Sequence, residues 1–498
     1  MRPSRGFLAI VFVLASCANV ESQRNANLLP IFTMPNNWTA GDKAIRINLD
    51  ETPVDLARWW TFFNDPLLTQ CIEQALQSNT SVASAQITLR QALALRELAN
   101  ASLWPTLFAS ASAQHNRSGT GQQTQRNNAF QGSLDAQWQP DIFGGNQAGV
   151  RASDADAHAS LANLGAVQIA IAAEVANSYF QLRGTQMRLT IAQNNLVSQL
   201  NTAQIAEWRR QAGLLTSIDS EQARAAAEQT RAQLPVLQNL ATQLIHGLVM
   251  LSGSAPNSLN ALQMQLEIGA DLPPTPRHAV LPTPANNLRQ RPDILAAEWQ
   301  INAAIARYDQ ANSARFPTFQ LGGGIGVKAL TISGLTSGSA FLGNVIASVT
   351  GPIFDGGARR AQTNVSFAAF EEAQVAYRAA AILAVKEVED ALAASRNDQQ
   401  RLISLELARQ ASANASSLAR QLFASGLTDF QTVLETQRAL FNAQDALAST
   451  QTDLSADWVR LYQALGGGWV ASQLPTAQAN AANNFNEAAK QKTVMEQR

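Results

Sequence analysis

Phe341-Leu342-Gly343-Asn344-Val345-Ile346-Ala347-Ser348-Val349-Thr350 runs directly into Gly351-Pro352-Ile353-Phe354-Asp355-Gly356-Gly357, and a proline-free segment then extends from Ala358 to Ser425. Two periods meet here. Phe341, Val345, Ala347 and Val349 place apolar side chains at odd positions, the period of two expected of a strand with unlike faces. The 68 residues from Ala358 to Ser425 carry a helical pattern instead, with Ala368, Val375 and Ile382 recurring at seven, as do Ala369, Ala376 and Leu383. At about 1.5 Å per residue such a helix is roughly 100 Å long. Its broad stripe of small and medium side chains suits a helix flanked by neighbours on two sides, whereas a two-stranded coiled coil shows a narrow seam of larger residues.

The same order of elements occurs earlier in the chain. Ala99-Asn100-Ala101-Ser102-Leu103-Trp104-Pro105-Thr106 returns as Ala311-Asn312-Ser313-Ala314-Arg315-Phe316-Pro317-Thr318, an offset of 212. Glu174-Val175 with Glu387-Val388, Gly213-Leu214 with Gly426-Leu427, and Leu251-Ser252-Gly253 with Leu465-Gly466-Gly467 keep nearly that register. Such a repeat is read as two copies of one structural unit, at 65–255 and 289–469, joined by a linker at 256–288. Each unit opens with a helix at Asp65-Pro66 or Arg291-Pro292-Asp293, where Pro in the first turn costs no hydrogen bond. The helix runs to the Trp104-Pro105 or Phe316-Pro317 step, which stops it.

Two strand-like stretches follow in each unit. From Phe130 to Gln139 every even position is apolar or small and every odd one polar, and Phe319, Leu321, Ile325 and Val327 repeat the alternation with odd positions apolar. Leu107 to His115 is a fourth, weaker candidate rich in Ser and Ala. Such stretches of roughly ten residues match transmembrane β-strands with an apolar lipid face and a polar lumen face. Alternation alone fits equally well a half-exposed sheet in a soluble domain.

A long helix comes next in the first unit too, Gln147 to Gln211, 65 residues. Gly213 and Gly426 are suited to left-handed helix stops, and Thr216-Ser217-Ile218-Asp219 and Thr428-Asp429-Phe430-Gln431 fit capping boxes that start returning helices. These span about Ser217 to Ser252 and Asp429 to Leu465. A returning helix and the opening helix of its unit together come close to the long helix in length, so two short helices could stack end to end beside one long one. The expected shape is a tall cylinder of antiparallel helices. Four strands cannot close a membrane barrel, because the smallest has eight and an open edge in lipid leaves backbone groups unpaired. If the strands span a membrane, the chain assembles with copies of itself.

At the N-terminus Arg2 and Arg5 precede the apolar run Gly6 to Ala15, the layout of a secretory signal over 1–16. Ten residues are too few to cross a bilayer as a helix. Leu14-Ala15-Ser16-Cys17 resembles the lipobox of bacterial lipoproteins, which implies acylation of Cys17 as the mature N-terminus. Ala18, where Asp would suggest inner-membrane retention, favours the outer membrane by the same resemblance. Residues 17–64 then form a mostly irregular lipidated tether, and 470–498 a polar tail.

The charge balance, 36 basic against 37 acidic side chains, carries no footprint for nucleic acid. Cys17 and Cys71 offer no disulfide framework, and Cys71 sits in an apolar helix pattern as a small buried residue. The four histidines, His115, His158, His246 and His278, have no partner at helical metal-ligand spacing, so neither metal nor cofactor is expected. Gly322-Gly323-Gly324-Ile325-Gly326 lacks the Lys-Ser or Lys-Thr of a phosphate cradle and reads as strand glycines permitting close backbone approach. There is no Gly-x-Ser-x-Gly nucleophile element and no expected enzyme site.

The chain resembles the TolC-like outer-membrane efflux proteins, in the lipoprotein branch associated with resistance-nodulation-division (RND) pumps. Gly351 to Arg360, Trp138-Gln139-Pro140-Asp141-Ile142-Phe143-Gly144, Arg291-Pro292-Asp293-Ile294, and the Gly426 turn leading to Gln437-Arg438 carry the resemblance, which covers about Trp59 to Trp469. It implies a mainly α fold with a membrane β-barrel: a homotrimer whose twelve-stranded barrel continues into a periplasmic α-helical tunnel. It also implies two partners, a periplasmic adaptor and an inner-membrane RND pump, and a passive duct for drugs or other small molecules. Gln431 and Glu435, four apart and on one helix face, are the gate this resemblance implies, with Val433 and Leu434 toward the packed sides. Gly213, Thr216, Asp219, Gly426, Thr428 and Asp429 would form the adaptor-docking tips. Two alternatives are a duct for type I protein secretion, against which the lipobox weighs, and a non-conducting structural coiled-coil lipoprotein, against which the strand pairs weigh.

Overall fold

The computed structural model describes residue 38 and residues 56–118, 125–257, 261–276, 291–336 and 341–469. The first unit contains α1 (Pro66–Ser78), α2 (Thr80–Ala101), β1 (Thr106–Ser118), β2 (Gln125–Trp138), α3 (Gly145–Gln211) and α4 (Ser217–Leu251). A short α5 (Ala261–Glu267) lies between the units, and the second contains α6 (Pro292–Ser313), β3 (Thr318–Ala329), β4 (Phe341–Thr350), α7 (Ala358–Ala424) and α8 (Phe430–Ala464). The four strands form one antiparallel sheet in the order β1-β2-β3-β4. Both long helices have 67 residues, so each is roughly 100 Å long.

The opening helix of the first unit is not continuous, as the sequence reading had it. Asn79 is extended (φ −66°, ψ 135°) and ends α1 while capping α2, its Oδ1 accepting from the Ser81 N–H at 2.8 Å. Its Nδ2 donates to the Leu251 carbonyl at 2.9 Å, so the break is bolted to the end of the returning helix. Gly253, in the left-handed region at φ 74°, allows this approach, since a Cβ there would lie 2.2 Å from the Ser78 carbonyl oxygen. The returning helix α4 also runs through Pro235, which deprives the Arg231 carbonyl of its helical donor.

Part of the expected tether is also ordered. Leu56–Phe63 forms a 3-10 helix that buries Trp59, Trp60 and Phe63. The reason is its aromatic content: Trp59 stacks on Tyr462 of α8 at 5.4 Å and 18°, and Phe63 meets Phe180 of α3 at 4.8 Å. These rings head the main apolar core, which gathers α1, the middle of α3 and the ends of α4 and α8, with Trp38 at its margin. Removing a ring as buried as Trp59 costs about 3–5 kcal/mol. Cys71 is buried in this core, and burial pushes its thiol up to about 12, which leaves it inert.

Below the core lies a carboxylate whose environment is costly. Asp457 of α8 is buried; its Oδ1 accepts from the Arg460 guanidinium at 2.8 Å while its Oδ2 has no hydrogen-bond partner among the described residues. Burial raises its carboxyl to about 6; Arg460 opposes the rise, and Asp398 and Asp453 add to it. A carboxyl raised in the folded state contributes fully below its unfolded value near 3.8 and loses that contribution as pH rises through about 6. Asp457→Asn is therefore expected to stabilise the fold at pH 8 by on the order of 2 kcal/mol, which raises the thermal unfolding midpoint there, and to leave the midpoint unchanged near pH 4. Melting curves at the two pH values check this, and an equal shift at both refutes it.

Candidate channel, gate and tips

Register divides the sheet into two unlike faces. Leu134 pairs with Ala109 and Ile325, Ala136 with Leu107 and Gly323, and Trp138 with Leu321, so all of these project to one side. Gly323 pairs in turn with Val345, Leu321 with Ala347 and Phe319 with Val349, which extends that apolar face across β4. The opposite face is mainly polar, with Ser110, Ser112, Gln131, Ser133, Asp135, Gln320, Lys328, Asn344 and Ser348, though Phe108, Leu342 and Ile346 also lie on it. Every residue of β4 is exposed, and β1 and β4 each have one edge without a strand partner among the described residues. An apolar face, a polar face and two free edges are the parts of an unclosed barrel.

Gly324 on the polar face makes room for two side chains. A Cβ there would lie 2.4 Å from Asp135 Oδ1 and 3.1 Å from Asn344 Oδ1, so the Asp135 and Asn344 side chains converge over this glycine. Gly326 answers the expectation of close backbone approach, since a Cβ would lie 2.6 Å from the Gly132 carbonyl oxygen. The sequence reading did not single out Asp135. Its odd position among polar neighbours was the available signal.

Each strand pair passes into a long helix through a glycine in the left-handed region, Gly144 at φ 73° or Gly357 at φ 88°. The N-terminal N–H groups are met by a motif carboxylate. Asp141 Oδ2 accepts from the Gln147 N–H at 2.7 Å, while Asp355 accepts from the N–H groups of Gly357 and Arg359 at 2.9 and 3.1 Å. A carboxylate at a helix N-terminus is stabilised by the helix dipole, and these hydrogen bonds hold Asp355 below its ordinary range.

At the far end of the helices both hairpins turn alike. Gly213 (φ 72°) and Gly426 (φ 74°) follow the caps, and Leu214 and Leu427 donate back to the carbonyls of Arg209 and Leu422 at 2.8 and 2.9 Å. This is the Schellman arrangement, which satisfies the last helical carbonyls. Thr216 and Asp219 form the expected capping box, with Asp219 N–H donating to Thr216 Oγ1 and Thr216 N–H to Asp219 Oδ2. In the second hairpin the box that the spacing of Thr428 and Gln431 suggests does not form. Asp429 and not Thr428 is its cap, because the Asp429 carboxylate accepts both the Thr432 N–H at 2.8 Å and the Thr432 hydroxyl at 2.6 Å.

The two hairpins pack together in one tip. Val433, Phe430 and Phe423 join Ala206 and Ala223 in a small core, and the Arg209 guanidinium lies over the Phe423 ring at 4.2 Å. Gln437 donates to Thr202 Oγ1 at 2.8 Å beneath them. Gln431 and Glu435 lie on the other side of α8. Both are exposed, and Gln431 Nε2 donates to Glu435 Oε1 at 3.0 Å. Glu207 is held near 2 by hydrogen bonds from Arg210, Gln211 and Ser220. Cys17 lies outside the described residues.

The sequence model of the outer membrane efflux protein family matches residues 71–254 and again 283–467. This chain belongs to that family. It is 29% identical to the outer membrane protein OprJ of Pseudomonas aeruginosa over 93% of this chain and 95% of that protein. It is likewise 29% identical to the toluene efflux pump outer membrane protein TtgF of Pseudomonas putida, over 95% and 98%. The solved outer-membrane channel OprN superposes with a TM-score of 0.79 at 32% identity, covering 88% of this chain and 99% of its own. The family member described here is thus an outer-membrane efflux channel, a trimer whose barrel takes four strands from each copy and stands on a periplasmic helical tunnel. It works with a periplasmic adaptor and an inner-membrane RND pump.

Proposed function

We propose that the chain is a passive duct for small organic molecules, with no catalytic step of its own, gated at the helical tips and anchored by lipid at Cys17. The observation that carries the duct is the sheet with one apolar face, one polar face and two free edges. Three such sheets close into a barrel whose polar faces line an aqueous lumen. TtgF is named for toluene efflux, which supports small organic cargo. Energy comes from the pump. Conductance of the purified trimer in planar bilayers tests the duct: discrete cation-conducting steps are expected, and a correctly assembled trimer that never conducts overturns it.

Gly213, Thr216, Asp219, Gly426, Thr428 and Asp429 form the surface that meets the adaptor, and Gln431 with Glu435 forms the constriction just inside it. Residues 1–16 are removed as a signal, 17–64 tether the lipid to the first unit at 65–255, and 256–288 link it to the second at 289–469, before a tail at 470–498. Cys17→Ala is expected to lose the acyl chains yet still reach the membrane and insert, since one anchor adds little to a spanning barrel. Mass spectrometry of the mature N-terminus reads the first point and membrane fractionation the second. A mature N-terminus that lies elsewhere and is unmodified refutes the assignment.

A further inference from the structure

In a chain whose charges nearly cancel, the part farthest from the helices is purely cationic. The sequence holds no carboxylate between Glu97 and Asp135, nor between Asp309 and Asp355, and the cations on the strands are Arg117, Arg126 and Lys328. Register separates these three. Lys328 pairs with Gln131 on the polar face, whereas Arg117 pairs with Arg126 on the face of Leu107, Leu134 and Ala136. That apolar face changes character with height. Ala109, Ala111 and Ala113 lead up β1 to His115, whose Nδ1 lies 2.6 Å from Asn128 Oδ1, and then to the exposed Arg117. From Leu107 to Arg117 the strand advances roughly 33 Å along its own axis. At the usual tilt this is about 25 Å of height, the whole apolar band of an outer-membrane barrel. Trp138 and Phe319 stand at the foot of the band and Phe130 and Phe341 near its top, as two aromatic girdles. Arg117 and Arg126 therefore lie just above the hydrocarbon, at the level of lipid headgroups.

We infer that Arg117 and Arg126 of each copy form a binding site for the phosphate groups of the anionic glycolipid that makes up the outer leaflet of the outer membrane. The inference rests on the barrel reading, in which the apolar face meets lipid. Like charges directly opposite on a strand pair are destabilising, and the nearest strand carboxylate, Asp135, is on the other face. An anion from outside the chain removes that cost. Arginine suits phosphate in particular, because its planar fork of N–H groups matches two phosphate oxygens at once. The apolar surface directly below selects a lipid over free phosphate, since the acyl chains of the same molecule lie along Ala113, Phe130 and the residues beneath them. Lys328 carries the same charge at a similar height but faces the lumen, out of reach of the leaflet. Each barrel thus offers three sites, one on every β1–β2 hairpin.

Titration of purified lipopolysaccharide onto the detergent-solubilised, full-length trimer, read by native mass spectrometry, tests the site. Arg117→Gln is expected to weaken binding about fivefold, and Arg117→Gln with Arg126→Gln about 25-fold. Lys328→Gln, which removes the same charge from the lumen face, is expected to leave binding unchanged. Dephosphorylated lipopolysaccharide is expected to bind the unaltered trimer as weakly as the intact lipid binds the double variant. This arm needs no substitution, so it decides the matter should the double variant fail to assemble. Inorganic phosphate at millimolar concentration is expected not to displace the lipid; displacement makes the site one for free phosphate and overturns the lipid assignment. Binding that ignores Arg117→Gln and dephosphorylation, or that falls as much with Lys328→Gln, overturns the inference. Those results leave the channel standing, because its conductance is read separately on the same trimers. An unaltered chain that forms no inserted trimer removes the barrel itself.

Discussion

Replacing Gln431 and Glu435 together by alanine is expected to raise single-channel conductance several-fold and to admit large antibiotics such as vancomycin across the outer membrane. The structure places both side chains on the face of α8 opposite Val433, which is buried against the other hairpin. They lock to each other by the 3.0 Å hydrogen bond, the only one recorded for either side chain among the described residues. In the proposed gate, threefold symmetry gathers three such pairs near the axis, just inside the Asp429 cap. A ring of carboxylates there attracts cations and is blocked by multivalent ones. The double variant removes both bulk and charge, so cation selectivity falls together with the rise in conductance. Both substituted side chains are exposed, so the fold of each chain is expected to be unchanged. An assembled trimer with unchanged conductance and selectivity places the constriction elsewhere.

The second large effect concerns the barrel. Val345→Arg, midway along β4 on the apolar face, is expected to abolish the inserted trimer, because a cation facing lipid near mid-membrane costs roughly 2–4 kcal/mol per site and a trimer carries three. Asn344→Arg, one residue earlier, puts the same charge on the polar face. There it meets Asp135 across Gly324, and the trimer is expected to insert while its selectivity moves toward anions. The contrast between adjacent residues is the test. Equal assembly of both variants refutes the assignment of faces, and equal failure shows that β4 tolerates no cation on either face.

Much of this architecture was written in local pattern. Proline-free runs and terminal glycines placed the long helices to within two residues at each end, since helix stops depend on the few residues whose φ and hydrogen bonds are special. Alternation placed all four strands, including the weak first one, because lipid and lumen impose opposite demands on neighbouring residues. What escaped depended on distant partners. The break at Asn79 is held by the Leu251 carbonyl, 172 residues away, and nothing local reveals that bond. The order of Leu56–Phe63 depends on Tyr462 and Phe180. That Asp429 caps the second returning helix in preference to Thr428 has a local cause, competition between two adjacent capping residues for the same N–H groups. Gln431 and Glu435 could be assigned to one helix face from their spacing, but a constriction exists only when three copies meet.

The alanines that line α3 where it packs against its neighbours set the calibre of the pipe. Helices that meet through such small side chains pack near the low end of the usual interaxial range of about 8–10 Å. Each copy presents about four helices at a given height, so a trimer's ring of roughly twelve has an axis-to-axis diameter of about 30–40 Å. Subtracting one helix thickness of about 10 Å leaves a bore of roughly 20–30 Å. That is several times the width of a drug molecule, so the walls impose almost no sieving or friction, and a solute diffuses there much as in free water. With the gate proposed at the tips, throughput is governed by how often that end opens, and hardly at all by the length of the pipe behind it.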